Sequence, residues 1–116
     1  MSGSYALERG PRVRLRLATT RDAAAIRALL ERQGIEAEEV EIARLVRSDP
    51  RRRLVICATA LIGSAESLGG IGAIDLDGGG EPDTLYVDDS LSDELAELLS
   101  RALIGRAAAI RASRAA

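Results

Sequence analysis

Residues 84–103 read TLYVDDSLSDELAELLSRAL and predict a short strand followed almost directly by a helix. The strand covers Thr84 to Val87, and the helix begins at Ser92, whose hydroxyl and two following carboxylates suit a helix N-terminus. Apolar residues then recur at helical spacing, namely Leu95, Leu98, Leu99, Ala102 and Leu103. We expect this helix to pack on the sheet that contains the strand, and Gly105 to interrupt it before the alanine-rich tail.

One strand and two helices are predicted in the first part of the chain, before residues 84–103. Arg12 to Ala18 alternates between apolar residues and arginines, which is typical of a half-exposed strand near a sheet edge. Thr19 and Asp22 have the spacing of a capping box, so a helix follows and ends at Gly34. A second helix is predicted over residues 37–47.

The remaining strands lie between that helix and the opening stretch. Arg53 to Ile62 (RLVICATALI) is nearly continuous in apolar residues, as in a strand covered on both faces. Leu68 to Leu76 predicts the next strand, where three glycines allow a bulge or a close backbone approach. A glycine-rich turn over residues 77–83 follows. The element order β-α-α-β-β-β-α predicts an α+β fold, with helices flanking a mostly antiparallel sheet.

Length and composition limit the organisation and the location of the protein. A chain of 116 residues has the length of a single domain, which we place at residues 12–116 after a loose N-terminal arm over residues 1–11. No apolar run reaches the ~20 residues that a membrane span needs. The single cysteine, Cys57, allows no internal disulfide and suits a reducing compartment, so we expect a cytoplasmic protein.

Several kinds of site are excluded or disfavoured by the residue types present. The absence of histidine excludes His-based triads and His metal ligands. A net charge of -2 gives no overall attraction to nucleic acid or to an anionic membrane. The acidic segment from Asp75 to Asp83 lacks the ligand spacing of a calcium loop, so no metal site is expected. Cys57 lies in the most apolar strand and is interpreted as a buried structural thiol.

The phrase Arg16 to Ala23 (RLATTRDA) resembles the opening of the GCN5-related N-acetyltransferase (GNAT) family. The later elements agree with that family in order, including a glycine-containing hairpin and the phrase LYVD at residues 85–88. The resemblance covers about residues 12–103 and implies a GNAT-like fold. It also implies further C-terminal strands, which this sequence lacks.

Members of the GNAT family hold the pyrophosphate of acetyl-CoA with a Q/R-x-x-G-x-G/A loop, and the resemblance places that loop on residues 92–97 (SDELAE). Ser92 then replaces the basic or amide residue, Leu95 the first glycine and Glu97 the second small residue. Glycines let backbone N–H groups approach the phosphates at the helix N-terminus. We expect the usual binding of the acetyl-CoA pyrophosphate to be lost, because the larger side chains block the phosphates and the carboxylates repel them.

Two functions remain as hypotheses, and neither has an identified catalytic residue. The first is a GNAT-like domain without catalysis or cofactor, acting as a small dimerising or regulatory binding module, with a homodimer or another protein as partner. The alternative is an active N-acetyltransferase whose acetyl-CoA site is non-standard or completed by a second chain. In that case the resemblance implies cofactor contacts from the backbone of Leu85, Tyr86 and Val87, with Ser92 at the helix start. A third reading treats the chain as one piece of a larger assembly.

Overall fold

Five strands form one sheet in the order β1-β2-β3-β4-β5, and every neighbouring pair is antiparallel. The structure is a computed structural model that describes residues 2–6, 12–47, 49, 51–62 and 65–115. The strands are β1 (Ser2–Ala6), β2 (Arg12–Leu17), β3 (Arg53–Ile62), β4 (Ala65–Asp75) and β5 (Thr84–Val87). The predicted α+β class and antiparallel sheet are confirmed, and the bounds of β3 and β5 are those expected from the sequence.

Strand β1 is a difference from the expected loose arm. Ser2–Ala6 pairs with β2, so that Tyr5 lies opposite Val13 and β2 becomes the second strand of the sheet. The segment SGSYA has neither a period nor a run of apolar residues. Its pairing with β2 depends on backbone hydrogen bonds, which the pattern of side chains in the sequence does not predict. Residue 1 and residues 7–11 of the expected arm lie outside the described residues.

The helices cover both faces of the sheet. They are α1 (Ala23–Arg32), α2 (Glu39–Leu45) and α3 (Ser92–Ala115), and short 3-10 turns precede α1 and α3. One apolar core joins α1 and α2 to the sheet, and a second joins α3 to the opposite face. None of the described helices combines the length and apolar character that a membrane crossing requires.

The start of α1 is fixed by the predicted capping residues. The Asp22 carboxylate accepts a hydrogen bond from the Thr19 backbone N–H at 2.7 Å, and the Asp22 N–H donates to the Thr19 carbonyl at 3.0 Å. Beyond the other end of α1, Gly34 has φ +72°, a left-handed conformation that favours glycine. Both expected boundaries are confirmed.

Helix α3 lies unusually close to β4 because glycines remove the side chains between them. A Cβ atom built at Gly70 would lie 2.9 Å from Leu99 Cδ1, and one at Gly72 would lie 2.7 Å from Leu103 Cδ1. The ladder shifts register beside Gly69, which is the bulge expected there. This close packing fixes the N-terminal turn of α3 against the end of β5.

Helix α3 also continues through Gly105, where an interruption was expected. A glycine inside a helix costs only about 1 kcal/mol relative to alanine. Contacts beyond it outweigh that cost, since Ala107 is fully buried and Arg111 Nε donates to the Leu76 carbonyl at 2.9 Å. Tertiary contacts therefore hold the last turns of the helix.

Candidate functional site

The junction between β5 and α3 lies where the sequence placed a cofactor loop. The Asp88 N–H donates to the Gly69 carbonyl at 2.8 Å, which extends the β4–β5 ladder by one residue. A 3-10 turn over Asp89–Leu91 follows, and the Leu91 N–H donates to the Asp88 carbonyl at 2.9 Å. The N-terminus of α3 therefore opens directly beside the end of β5.

The three predicted residues of β5 divide between the two faces of the sheet. Leu85 and Val87 lie on the α3 side, where Val87 packs against the core and Leu85 is 38% exposed. Tyr86 lies on the α1 and α2 side and packs against that core. The structure therefore does not bring these three side chains together, and only their backbone edge is shared.

The outer edge of β5 pairs with no other strand among the described residues. In an antiparallel ladder successive residues direct their backbone groups to alternate sides. Because Asp88 bonds to β4, the backbone groups of Leu85 and Val87 point to the open edge. One of these positions is filled, since the Gln33 side-chain amide donates to the Val87 carbonyl. Leu85 keeps both of its backbone groups at that edge.

The end of α1 closes the junction from the side. Arg32 Nε donates to Asp88 Oδ2 at 3.0 Å, and Arg32 Nη2 donates to the Leu68 carbonyl at 2.8 Å. The Asp88 side chain is only 15% exposed. Arg32 and Gln33 were missed by the sequence reasoning, because they lie more than fifty residues away and belong to no recognisable motif.

Leu95 differs from its expected role as bulk in front of the phosphate site. Its side chain is fully buried and lies over the glycines of β4, within 3.4 Å of a Cβ built at Gly70. It therefore points into the core and away from the open end of α3. The negative charge remains, since Asp93 is exposed and Glu94 is partly exposed in the first helical turn. Of Ser92, the structure gives only its position as the first residue of α3.

Charge at the junction disfavours an anion on physical grounds. The helix dipole and free N–H groups of α3 attract negative charge, but Asp93 and Glu94 already occupy that region. Among the described contacts, the cation that reaches the junction is Arg32, and it already binds Asp88. A pyrophosphate would have to displace Asp88 from Arg32 and approach further carboxylates. The junction is consequently paired within the chain.

Cys57 and Asp22 form a separate polar cluster under α1. Arg16 binds Asp22 through two hydrogen bonds of 2.6 and 2.8 Å, which hold the pKa of the Asp22 carboxyl below its ordinary value. Cys57 Sγ lies 4.0 Å from Asp22 Oδ2 and is completely buried. Burial, reinforced by the Asp22 charge, raises the pKa of the Cys57 thiol to about 12. The thiol stays protonated at neutral pH, and its predicted burial is confirmed.

The acidic loop after β4 is organised by an arginine. Arg53 binds both carboxylate oxygens of Asp83, at 2.6 and 2.7 Å, and these bonds lower the pKa of Asp83. The Asp77 N–H donates to Asp75 Oδ1 at 2.9 Å within the turn. No group of three potential metal ligands occurs among the described residues. The loop contacts account for these carboxylates as turn structure.

Comparison with known proteins supports the fold assignment. No family model matches the chain, and no curated protein matches it. The crystal structure of the GNAT domain of S. lividans PAT is similar to it, with a TM-score of 0.67 and 20% sequence identity. The match covers 97% of this chain and 73% of that chain. The protein therefore has a GNAT-like fold, and the expectation drawn from residues 12–103 is confirmed.

Proposed function

We propose that this GNAT-like domain performs no acyl transfer and acts as a small binding or regulatory module in the cytoplasm. The observation that carries the proposal is the pairing of Arg32 with Asp88 at the β5–α3 junction. In a GNAT-like fold this junction is the place where the resemblance puts the cofactor phosphates. Here a cation from α1 neutralises a carboxylate there, and Gln33 takes the Val87 carbonyl.

The proposed partner is a second copy of the chain, meeting the first along β5. Strand β5 is four residues long and has no neighbour on its outer side among the described strands. Open strand edges are commonly covered by pairing, and a two-fold axis lets the same edge serve both copies. Leu85, which is 38% exposed beside that edge, would gain apolar contact in such a dimer.

Calorimetric titration with acetyl-CoA and with CoA tests the absence of a cofactor, with thermal melting in parallel. We expect no saturable heat and no rise in melting temperature at millimolar ligand. A ligand with a dissociation constant below about 100 μM would raise the melting temperature by mass action, and that result would overturn the proposal.

Light scattering on the eluting protein at micromolar concentration tests the dimer separately. We expect the mass of two chains for the wild type. Leu85→Arg should shift the protein toward one chain, while Ile104→Arg, which alters an exposed apolar residue of α3, serves as a matched control. A wild-type mass of one chain would contradict the dimer without bearing on the cofactor.

A second candidate function is acetyl transfer through a non-standard site. It is favoured by the backbone N–H and C=O groups of Leu85, which face the open edge and could hold an extended pantetheine arm, with Tyr86 and Val87 following along the same strand. Binding through main-chain atoms does not depend on the glycines of a phosphate loop. The same calorimetric titration decides between the two candidates, and Ser92 would then be tested as a further contact.

A further inference from the structure

A cleft of about 320 Å³ lies on the α1 face of the sheet, and one of its lining residues, Leu68, accepts a hydrogen bond from Arg32 of the β5–α3 junction. Helix α1 forms one wall at Ala25, and Arg16 of β2 lines the cleft beside it. Arg14, Thr59 and Glu66 line the open part, one from each strand. Neighbouring strands thus bring a cation, a hydroxyl and an anion to one surface.

The sheet register places these three groups close together. Arg14 on β2 lies directly opposite Thr59 on β3, and Thr59 lies opposite Leu68 on β4. Glu66 precedes Leu68 by two residues, so both side chains lie on the same face of β4. The three polar groups also line an adjoining depression of about 130 Å³ at the end of the sheet.

Thr59 Oγ1 is the least expected feature of the cleft. The oxygen is buried, and no described group donates to it or accepts from it. A buried hydroxyl without a partner costs about 1–3 kcal/mol, so most such groups are hydrogen-bonded. A molecule bound in the cleft can supply the hydrogen bond that Thr59 Oγ1 lacks.

The charged groups of Arg14 and Glu66 beside Thr59 have opposite sign. No ion pair joins Arg14 or Glu66 to another described side chain. Arg16, which also lines the cleft and is close enough to Glu66 for an electrostatic effect, binds Asp22 through both of its terminal nitrogens. A guanidinium suits a carboxylate, which it can bind through two parallel hydrogen bonds. The Glu66 carboxylate suits an ammonium group. A ligand matching both must carry a carboxylate and an amine.

We infer that this cleft binds a small zwitterion of the free amino acid class, with its carboxylate on Arg14, its ammonium group on Glu66 and a hydrogen bond to Thr59. The molecule is bound without a covalent step. The inference concerns a different part of the chain from the β5–α3 junction, so it does not depend on the absence of acetyl transfer.

Nuclear magnetic resonance titration of the ¹⁵N-labelled protein tests the site with L-alanine as probe. We expect saturable shifts centred on the amides of Arg14, Thr59 and Glu66, with saturation on the order of 10 mM or below. Acetate and methylamine each carry half of the probe and should bind at least tenfold more weakly. Equal binding of acetate would reduce the site to an anion site, and no saturable shift with L-alanine would overturn the inference.

Variants separate ligand binding from a structural role of the same residues. Arg14→Gln and Glu66→Gln should each weaken L-alanine binding at least tenfold, and Glu66→Gln should also abolish the preference for L-alanine over acetate. Arg21→Gln changes an exposed arginine outside the cleft and should bind as the wild type does. Unchanged affinity in Arg14→Gln would contradict the assignment.

Thr59→Val provides the most specific readout. It removes the unpartnered hydroxyl while keeping a similar shape, so the free protein should be as stable as the wild type or more stable. The same substitution should weaken L-alanine binding several-fold. A loss of stability in the absence of ligand would show that the hydroxyl has a structural partner, and it would count against the inference.

Discussion

The β5–α3 junction and the cleft at the ends of β2, β3 and β4 use their polar groups in opposite ways. At the junction Arg32 binds Asp88 and Gln33 binds the Val87 carbonyl, so the chain satisfies its own groups. In the cleft the described contacts leave Thr59 Oγ1 without a partner. The comparison shows that the polar groups at the β5–α3 junction are paired within the chain, whereas a hydroxyl in the cleft has no partner among the described residues.

The largest expected effect comes from Leu95→Gly, which would introduce the first glycine of the GNAT phosphate loop at the junction. Because Leu95 is fully buried between α3 and β4, its removal should lower the free energy of unfolding by about 4 kcal/mol, from the lost packing and the glycine in the helix. Urea denaturation measures the change, and calorimetry should detect no gain of acetyl-CoA binding.

Glu97→Gly is the matched control, because Glu97 lies at the second small-residue position of the same loop but is exposed and contacts only Arg101 among the described bonds. It should cost only about 1 kcal/mol. A Leu95→Gly protein that is as stable as this control, and that binds acetyl-CoA, would contradict the placement of Leu95 in the core.

A smaller effect is expected from Asp22→Asn, which breaks the ion pair between Asp22 and the cleft residue Arg16. Removing one charge of this largely buried pair should cost about 2–3 kcal/mol at pH 7. Since Arg16 lowers the pKa of Asp22 below 3.8, the carboxylate stabilises the fold above about pH 4, and this contribution is lost as the pH falls toward the folded-state pKa.

The measurement is the urea midpoint of wild type and Asp22→Asn between pH 7 and pH 2. The difference between the two proteins should shrink through the acid range. Asp77→Asn, an exposed turn substitution, should follow the wild type throughout. A constant difference between wild type and Asp22→Asn down to pH 2 would show that the Asp22 charge contributes nothing.

A pH-dependent loss of stability in the alkaline range is expected from Cys57, which lies beneath the Arg16–Asp22 pair. Its folded-state pKa is raised to about 12 from 9.0, so burial of the neutral thiol stabilises the fold below about pH 9, and that contribution is lost as the pH rises. The loss approaches about 1.4 kcal/mol per pH unit above pH 9. Cys57→Ala should remove this part of the alkaline slope, measured by thermal melting at pH 8 to 11. Identical slopes would refute the buried thiol as its source.

The smallest effect is expected at the junction itself, from Arg32→Ala. The Arg32 side chain is 42% exposed, so solvent screens its pair with Asp88 and the cost should be about 0.5–1 kcal/mol. Hydrogen exchange at the Asp88 and Leu91 amides should become about fivefold faster, because the end of α1 no longer holds the turn. Arg44→Ala, which breaks an exposed pair on α2, should leave those two amides unchanged. Unchanged exchange in Arg32→Ala would show that the turn holds without the pair.

The helices and strands that carry a local side-chain pattern were predicted from the sequence. The apolar run of β3, the helical spacing of Leu99 and Leu103, and the capping pair Thr19 and Asp22 each report a local pattern. The candidate site was less predictable. The sequence predicted Leu95 as part of the apolar stripe of α3, which is confirmed, but it also counted Leu95 as bulk at the phosphate position, whereas its side chain points into the core.

Local patterns in the amino-acid sequence determined the α+β class and the order of the helices and later strands, because apolar residues recur at the spacing of each element. The GNAT-like fold was implied by the resemblance at residues 16–23 and 85–88. The tertiary structure decided the rest: β1 as a fifth strand, the continuation of α3 through Gly105, the Arg32–Asp88 pair and the cleft around Thr59. Each of these depends on groups far apart in the chain, and their contact energies exist only once the sheet order and the close packing of α3 are set.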